Sequence, residues 1–377
     1  MRILHILNHV REIGNGIVNV AVDLACLQAK NNHDVAVVSA GGEYEKLLLK
    51  YGVRHFELDQ TRTPINLINA AGRYRGIIRE FQPDIVHAHM MTGVVFGRCL
   101  KANSNYALVA TVHNEFQRSA VLMGLADRVI AVSNAVAKSM ARRGIPEQKL
   151  RVISNGTLGS VRTRNIQEYL PVELEKPAIA TVAGMYQRKG IGELIAAFAQ
   201  IAPNFPQAHL YLVGDGPDRA IFEEKAQATG FSDVCNGLHQ RIHFVGFQPE
   251  PQRYLLAADI FVLASHRDPS PLVVPEAREA GCAIIATNVD GIPEALDNGQ
   301  AGILVPVKDS SALADALAKL LSQPHLLQHW QEQAQQNLDW LSVERVNQET
   351  LAVYSELKMG WDSGVVKHLE VNINTNQ

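Results

Sequence analysis

The chain has 377 residues, 47% of them apolar and 19% charged, with a mean hydropathy of -0.04. Those values suit two domains with substantial cores and exclude a disordered chain; no run of about 18 apolar residues occurs, so no membrane span is expected. The net charge of -3 conceals an uneven split, 21 Lys and Arg against 13 Asp and Glu over residues 1–170 and 14 against 25 over 171–377. A basic first half suggests an anionic partner there, with solubility alone as the plain alternative.

In chain order, short apolar runs alternate with longer helical patterns. Strands are expected at 3–7, 35–39, 85–87, 107–112, 129–132 and 151–153, with helices such as 18–30 and 65–81 between them. The runs are continuous rather than alternating, the mark of parallel strands covered on both faces. After a Pro-bearing stretch at 166–177, read as a linker, the series restarts. Strands are expected at 179–182, 208–213, 242–245, 260–264, 283–286 and 302–305. Helices are expected at 191–201, 216–229, 253–257, 272–280, 293–296, 311–321 and 326–336. Strand–helix alternation of this kind gives α/β architecture with two doubly wound parallel sheets in tandem. The expected division is 1–170 and 171–342, with a last helix at 343–358 that can pack back on the first domain and a polar tail at 360–377. Cys26, Cys99, Cys235 and Cys282 lie far apart with no C-x-x-C, which argues against a disulfide framework or zinc ribbon. The first residues, with His5 in a short apolar stretch, do not read as a signal peptide, and a cytoplasmic location is expected.

Open parallel sheets bind ligands beyond the carboxyl ends of their strands, and two facing sheets make that place an interdomain cleft. The loops after strands therefore carry the chemistry. Gly14-Asn15-Gly16 precedes a helix and lets backbone N–H groups approach a phosphate, or forms an ordinary turn. A dinucleotide-binding G-x-G-x-x-G fails at Asn19. His113, in His113-Asn114-Glu115 after the strand at 107–112, can donate to a sugar or phosphate or act as acid or base; His87 and His89 read as structural. Arg188 and Lys189, in a loop flanked by Gly184 and Gly190, suit a pyrophosphate or are merely solvated cations. The loop 265–277 holds Asp268, then Ser270 as a helix cap and Pro271 as its first residue. The N–H groups of Leu272 and Val273 then face outward for an anion. Glu276, about one turn later, can accept both hydroxyls of a ribose or serve the helix dipole.

The stretch from Asp268 to Glu276 resembles the E-x(7)-E signature of the retaining glycosyltransferases of family 4, with aspartate in the first position. Further matches follow in order: Gly14-Asn15-Gly16, Pro83-Asp84-Ile85-Val86-His87-Ala88-His89, Thr111-Val112-His113, Val132-Ser133, Ile153-Ser154-Asn155-Gly156, Lys189-Gly190, Gly214-Asp215-Gly216-Pro217 and Gly291-Ile292-Pro293-Glu294. The resemblance spans residues 1–357. It implies a GT-B fold, two Rossmann-like domains facing a cleft, with the acceptor on the first and a nucleotide-sugar donor, a UDP-sugar by preference, on the second. It implies hexosyl transfer with retention, without cofactor or bound metal, to a glycan, lipid-linked or small-molecule acceptor. By the same resemblance Glu276 holds the ribose and Asp268 approaches the donor sugar. Lys189 and Arg188 neutralise the pyrophosphate, with Gly16, Ser270, Leu272 and Val273 around the phosphates, and His113 faces the sugar. Front-face attack is expected, the leaving phosphate taking the acceptor proton.

Three departures stand out: Asp268 for glutamate, Met185 where the family often has arginine, and a looser glycine pair at 14–16. They motivate a second class, a non-catalytic scaffold on a decayed fold; a sugar-nucleotide epimerase is a third. Arg62, Arg73, Arg75 and Arg79, with Ile65, Leu67, Ile68, Ile77 and Ile78, mark a stretch that can lie on an anionic membrane, or an ordinary amphipathic surface helix. No nucleic-acid partner is expected.

Overall fold

The continuous apolar runs become buried strands of two all-parallel sheets. The computed structural model describes residues 1–61, 63–232 and 240–362. Arg62, Cys235 and the expected tail beyond 362 lie outside the described residues. The chain divides into two units, the first comprising Met1–Asn155, Ser160–Arg162 and the chain from Val343, the second Gly156–Gly159 and Thr163–Ser342.

The first unit contains β1 Arg2–Ile6, β2 Asp34–Ser39, β3 Arg54–Glu57, β4 Ile85–Ala88, β5 Ala107–Val112, β6 Arg128–Ala131 and β7 Leu150–Val152. Their order is β3-β2-β1-β4-β5-β6-β7, and every neighbouring pair is parallel. Helices α1 Gly16–Lys30, α2 Glu45–Lys50, α3 Pro64–Phe81, α4 Met91–Cys99 and α5 Asn134–Arg142 make the crossovers. The sequence reading missed β3. It is an edge strand in which only Phe56 is buried, so it carries no apolar run.

The second unit contains β8 Ala178–Val182, β9 His209–Val213, β10 Ile242–Gly246, β11 Ile260–Leu263, β12 Ala283–Thr287 and β13 Ile303–Val305, in the order β10-β9-β8-β11-β12-β13 and again all parallel. Its helices are α6 Ile191–Ile201, α7 Arg219–Gln227, α8 Gln252–Ala257, α9 Val273–Glu279, α10 Ile292–Ala295, α11 Ser310–Ser322 and α12 Pro324–Ala334. The last helix, α13 Val343–Asp362, belongs to the first unit. There Tyr354 is fully buried, and Glu356 accepts from Arg128 and Arg151.

In each sheet the chain starts in the middle and reverses direction beside its first strand, β1 or β8. Loops that leave the carboxyl ends of β1 and β4, and of β8 and β11, therefore part to opposite faces and leave a crevice.

The chain leaves the first unit between Asn155 and Thr163, upstream of the expected linker. The segment 163–177 is bound to the second unit through Val172 N–H to Arg253 O at 3.2 Å and Arg253 Nε to Leu170 O at 2.9 Å. Two helices also start later than expected. Helix α7 starts at Arg219 because Gly216 lies against Met185, where a Cβ would come within 2.6 Å of the Met185 carbonyl oxygen. Helix α9 starts at Val273 with Leu272 at the N-cap position and no side-chain cap, so Ser270 does not cap it and Pro271 is not its first residue.

Candidate functional site

In the second unit, two loops from the switch point interlock. After β8 the chain makes one short turn, Gln187–Lys189, and reaches Gly190 in the left-handed region at φ 66°. A Cβ at Gly190 would lie 1.8 Å from the Ala264 carbonyl oxygen at the end of β11. Only glycine permits that approach. The contact continues with His266 N–H donating to Arg188 O at 2.7 Å. It sets Lys189 Nζ 2.6 Å from Asp268 Oδ2, with the side chains 17% and 8% exposed. A charge-assisted pair this short and this shielded from water is far stronger than a surface ion pair.

Asp268 is itself clamped. Its N–H donates to Asp290 Oδ2 at 3.0 Å, its carbonyl accepts from Gly291 N–H at 3.1 Å, and Ser265 Oγ lies 3.5 Å from Oδ2. Arg267 Nε donates to the same Asp290 oxygen at 2.8 Å. The loops after β8, β11 and β12 thus act as one block. The loop after β9 joins it: Met185 N–H donates to Asp215 O at 2.9 Å, and Gln187 N–H to Asp218 Oδ2 at 2.8 Å. Gly214, at φ 133°, brings its backbone against Ala183.

Glu276 lies in the first turn of α9, half-buried. Two residues on, Arg278 is fully buried. It donates to Ala334 O at 2.9 Å, Ala295 O at 2.8 Å, Asp297 Oδ2 at 2.9 Å and Gln336 O. Arg278 pins α9, and with it Glu276, to the helices behind. Sequence reasoning missed it, because a cation in a short helix reads as surface. Met185, which stands where the family often has arginine, is a core residue with no exposure, so its side chain offers nothing to a ligand. Arg188 is exposed, its guanidinium 5.5 Å from the Tyr186 ring centroid. Leu272 O accepts from Thr157 Oγ1 at 3.3 Å.

In the first unit, Gly16 is the first residue of α1, capped by Asn15, whose side chain accepts from Ile17 N–H at 3.0 Å. His113 does not stand alone. Its Nε2 lies 3.0 Å from His89 Nδ1, His89 Nε2 lies 3.0 Å from His5 Nδ1, and His5 Nε2 lies 2.8 Å from Gln28 Oε1. His87 sits beside them, with Nδ1 2.6 Å from Tyr354 Oη and Nε2 2.7 Å from Thr111 Oγ1. The strand register explains the cluster. His5 pairs with His87 across β1 and β4. His89 and His113 follow at period two beyond His87 and Thr111, so all point to one face. That pattern in the sequence, His-x-His and Thr-x-His after neighbouring strands, was the available signal.

Burial disfavours the charged imidazolium. It pushes His5 down to about 4 and His113 down to about 3. His87 and His89 lie well below the ordinary range, through burial first and then the neighbouring histidines. His5, His87 and His89 bring ring nitrogens within 4.8 Å of one another, a spacing a cation could use. Every ring nitrogen of the three already has a protein partner, so the cluster is satisfied by hydrogen bonds alone. Among the described residues no helix is long and apolar enough to cross a membrane.

The profile described as "Glycosyl transferases group 1" matches residues 163–337, and "Glycosyltransferase Family 4" matches residues 14–157. The lipopolysaccharide core biosynthesis glycosyltransferases LpsE and LpsD of Rhizobium meliloti (strain 1021) are 26% and 27% identical over 56% and 67% of this chain. The chain spans 59% and 69% of their respective lengths. Among solved structures, Anabaena Alr3699/HepE in complex with UDP matches with a TM-score of 0.77 at 20% identity, covering 94% of this chain and 100% of that one. The two doubly wound units are the Rossmann-like domains of a GT-B fold. The chain belongs to the group 1, or family 4, glycosyltransferases.

Proposed function

We propose that this protein is a retaining glycosyltransferase that moves a hexosyl group from a UDP-sugar to a glycan or lipid-linked acceptor. The observation that carries the reading is the Lys189–Asp268 pair at the switch point of the second unit, with Glu276 one turn into the next helix. Breaking the sugar–phosphate bond puts positive charge on the anomeric carbon and negative charge on the diphosphate. Lys189, with Arg188 beside it, neutralises that diphosphate. Glu276 accepts from the two ribose hydroxyls, and His113 serves the transferred sugar. Gly16, Ser270, Leu272 and Val273 complete the surroundings of the phosphates.

Asp268 is assigned to holding Lys189 in place. Its carboxylate is bound to a cation and is a poor nucleophile in that state, which supports front-face attack. The acceptor hydroxyl attacks the anomeric carbon as the diphosphate leaves, the C–O bond to phosphate breaks, and a departing phosphate oxygen takes the hydroxyl proton. No metal ion and no cofactor enters this scheme.

The donor is tested by thermal shift with UDP, GDP, ADP and dTDP and their sugars. A ligand that binds only the folded chain raises the melting temperature by mass action. We expect a shift with UDP that Glu276→Ala abolishes. No shift with any nucleotide overturns the reading and favours a scaffold. Release of an isomerised donor without acceptor favours an epimerase. The lipid-linked acceptor draws support from α3, where Ile65 and Ile68 are 76% and 73% exposed on a helix that also exposes Arg73, Arg75 and Arg79. On this reading the protein works in the cytoplasm, at the inner face of the membrane. Absence of binding to anionic liposomes at low salt removes that part.

A further inference from the structure

The histidines behind His113 form an ordered chain rather than a set of separate core residues. A neutral imidazole carries one N–H and one lone pair. In a row of neutral rings joined nitrogen to nitrogen, the group at one end therefore dictates every proton position to the other end. Here the inner end is Gln28, on α1, whose Oε1 faces His5 Nε2 at 2.8 Å. With the Gln28 amide in this orientation its oxygen can only accept, which puts the His5 proton on Nε2 and a lone pair at Nδ1. His89 then donates from Nε2 to His5, and accepts at Nδ1 from His113 Nε2.

We propose that Gln28, His5 and His89 are positioning residues that hold His113 as its Nε2–H tautomer and leave His113 Nδ1 as an acceptor for a substrate hydroxyl. Nδ1 of His113 has no hydrogen-bond partner among the described residues, whereas each other nitrogen in the row is engaged. A proton added to His5 or to His89 would set two donors face to face and break the row. The burial of His5 and His89 keeps that state out of reach. His87 lies against the row, its ring centroid 4.3 Å from that of His89. It is held apart from the row by Tyr354 and Thr111, which engage both its nitrogens. The functional half of the proposal rests on the reading of His113 as a sugar-facing residue; the proton order does not.

The test is long-range ¹H–¹⁵N correlation on ¹⁵N-histidine-labelled protein, alongside steady-state kinetics. In the native chain we expect His5, His89 and His113 each to show a protonated Nε2 and a bare Nδ1, with Nε2 protons slow to exchange. Gln28→Met removes the anchor without touching His113, and His89→Phe cuts the row. In either variant the His113 nitrogen signals move toward a tautomer mixture. The kcat falls roughly 10- to 100-fold with the donor KM little changed, the pattern of a lost orienting partner. A purely structural role would lower the melting temperature and leave the His113 signals where they were. A protonated Nδ1 on any of the three native rings overturns the proposal, and the native spectrum decides the matter even where a variant fails to fold. The native tautomer pattern in a chain with no transferase activity keeps the proton order and sinks the functional reading instead.

Discussion

Lys189 Nζ and Asp268 Oδ2 lie 2.6 Å apart, and the two residues come from loops that follow neighbouring strands of one sheet, β8 and β11. The pair is mostly shielded from water, so each charge depends on the other. Removing one leaves a cation or an anion in a poorly solvated place, which costs on the order of 3 kcal/mol. We therefore expect Asp268→Ala and Lys189→Met each to destabilise the chain by about that amount. The double variant should recover much of the loss. Urea melts of the four proteins check this. Equal and additive losses would mean that the two groups do not depend on each other.

The pair exists because Gly190 lets the β8 loop touch β11. Any side chain at 190 meets the Ala264 carbonyl oxygen at an impossible distance and must also adopt φ 66°. Gly190→Ala should cost more than about 2 kcal/mol, through positive-φ strain plus the displaced loop. On the proposed reading it should also weaken UDP binding, because Lys189 is the preceding residue. Gly230→Ala makes a fair control. That residue has φ 77° with nothing near its Cβ, so only the conformational cost remains, about 1 kcal/mol. Calorimetric melts of both variants, with and without UDP, separate the two effects.

These features differ in how far the sequence announces them. The apolar runs at 107–112 and 260–263 have no rival reading, and strand–helix alternation places the loops after them at the carboxyl edge. Lys189, Asp268 and Glu276 were reachable for that reason. Arg278 was not, because its acceptors are carbonyls of Ala295, Ala334 and Gln336, which no local pattern brings to it. Met185 looked like a lost cation and is a core side chain. Only the knitting of two glycine-rich loops, through Gly214 and Gly216, decides which way it points. His87 and His89 looked like ordinary core histidines because each of their partners lies on another element.

The histidine cluster makes the first unit sensitive to acid. In the folded state His5 and His113 stay neutral to about 4 and about 3, and His87 and His89 are shifted in the same direction. In the unfolded chain each takes a proton below about 6.5. Between those values the unfolded state binds more protons. Stability is therefore complete above about pH 6.5 and falls as the pH drops, by up to about 1.4 kcal/mol per pH unit for each histidine. Buried Asp23, whose carboxyl burial pushes up, works the other way, and the four rings outnumber it. Thermal melts from pH 8 to pH 5 should show a steep loss below 6.5. His5→Asn, normalised to its own value at pH 8, should show a shallower one. A flat profile would mean that the rings are not held neutral.

Arg278 sits two residues beyond Glu276 with no exposed surface, and its guanidinium reaches four acceptors on two separate segments, 295–297 and 334–336. Those acceptors include two carbonyls beyond α12 or at its end and one at the end of α10, so the side chain closes the far side of α9. A lysine keeps the charge but has one nitrogen and no fork, so it cannot serve all of them. Arg278→Lys should therefore destabilise by about 2–4 kcal/mol, nearly as much as Arg278→Met, which also strands Asp297. If α9 is held in register only by this contact, the surviving folded protein should bind UDP several-fold more weakly, because Glu276 turns with the helix. Isothermal titration of both variants at a temperature well below their melting points measures that change. Native affinity in a destabilised Arg278→Lys protein would limit Arg278 to stability and leave the placement of Glu276 to the packing of Val274 and Ala277 beneath it.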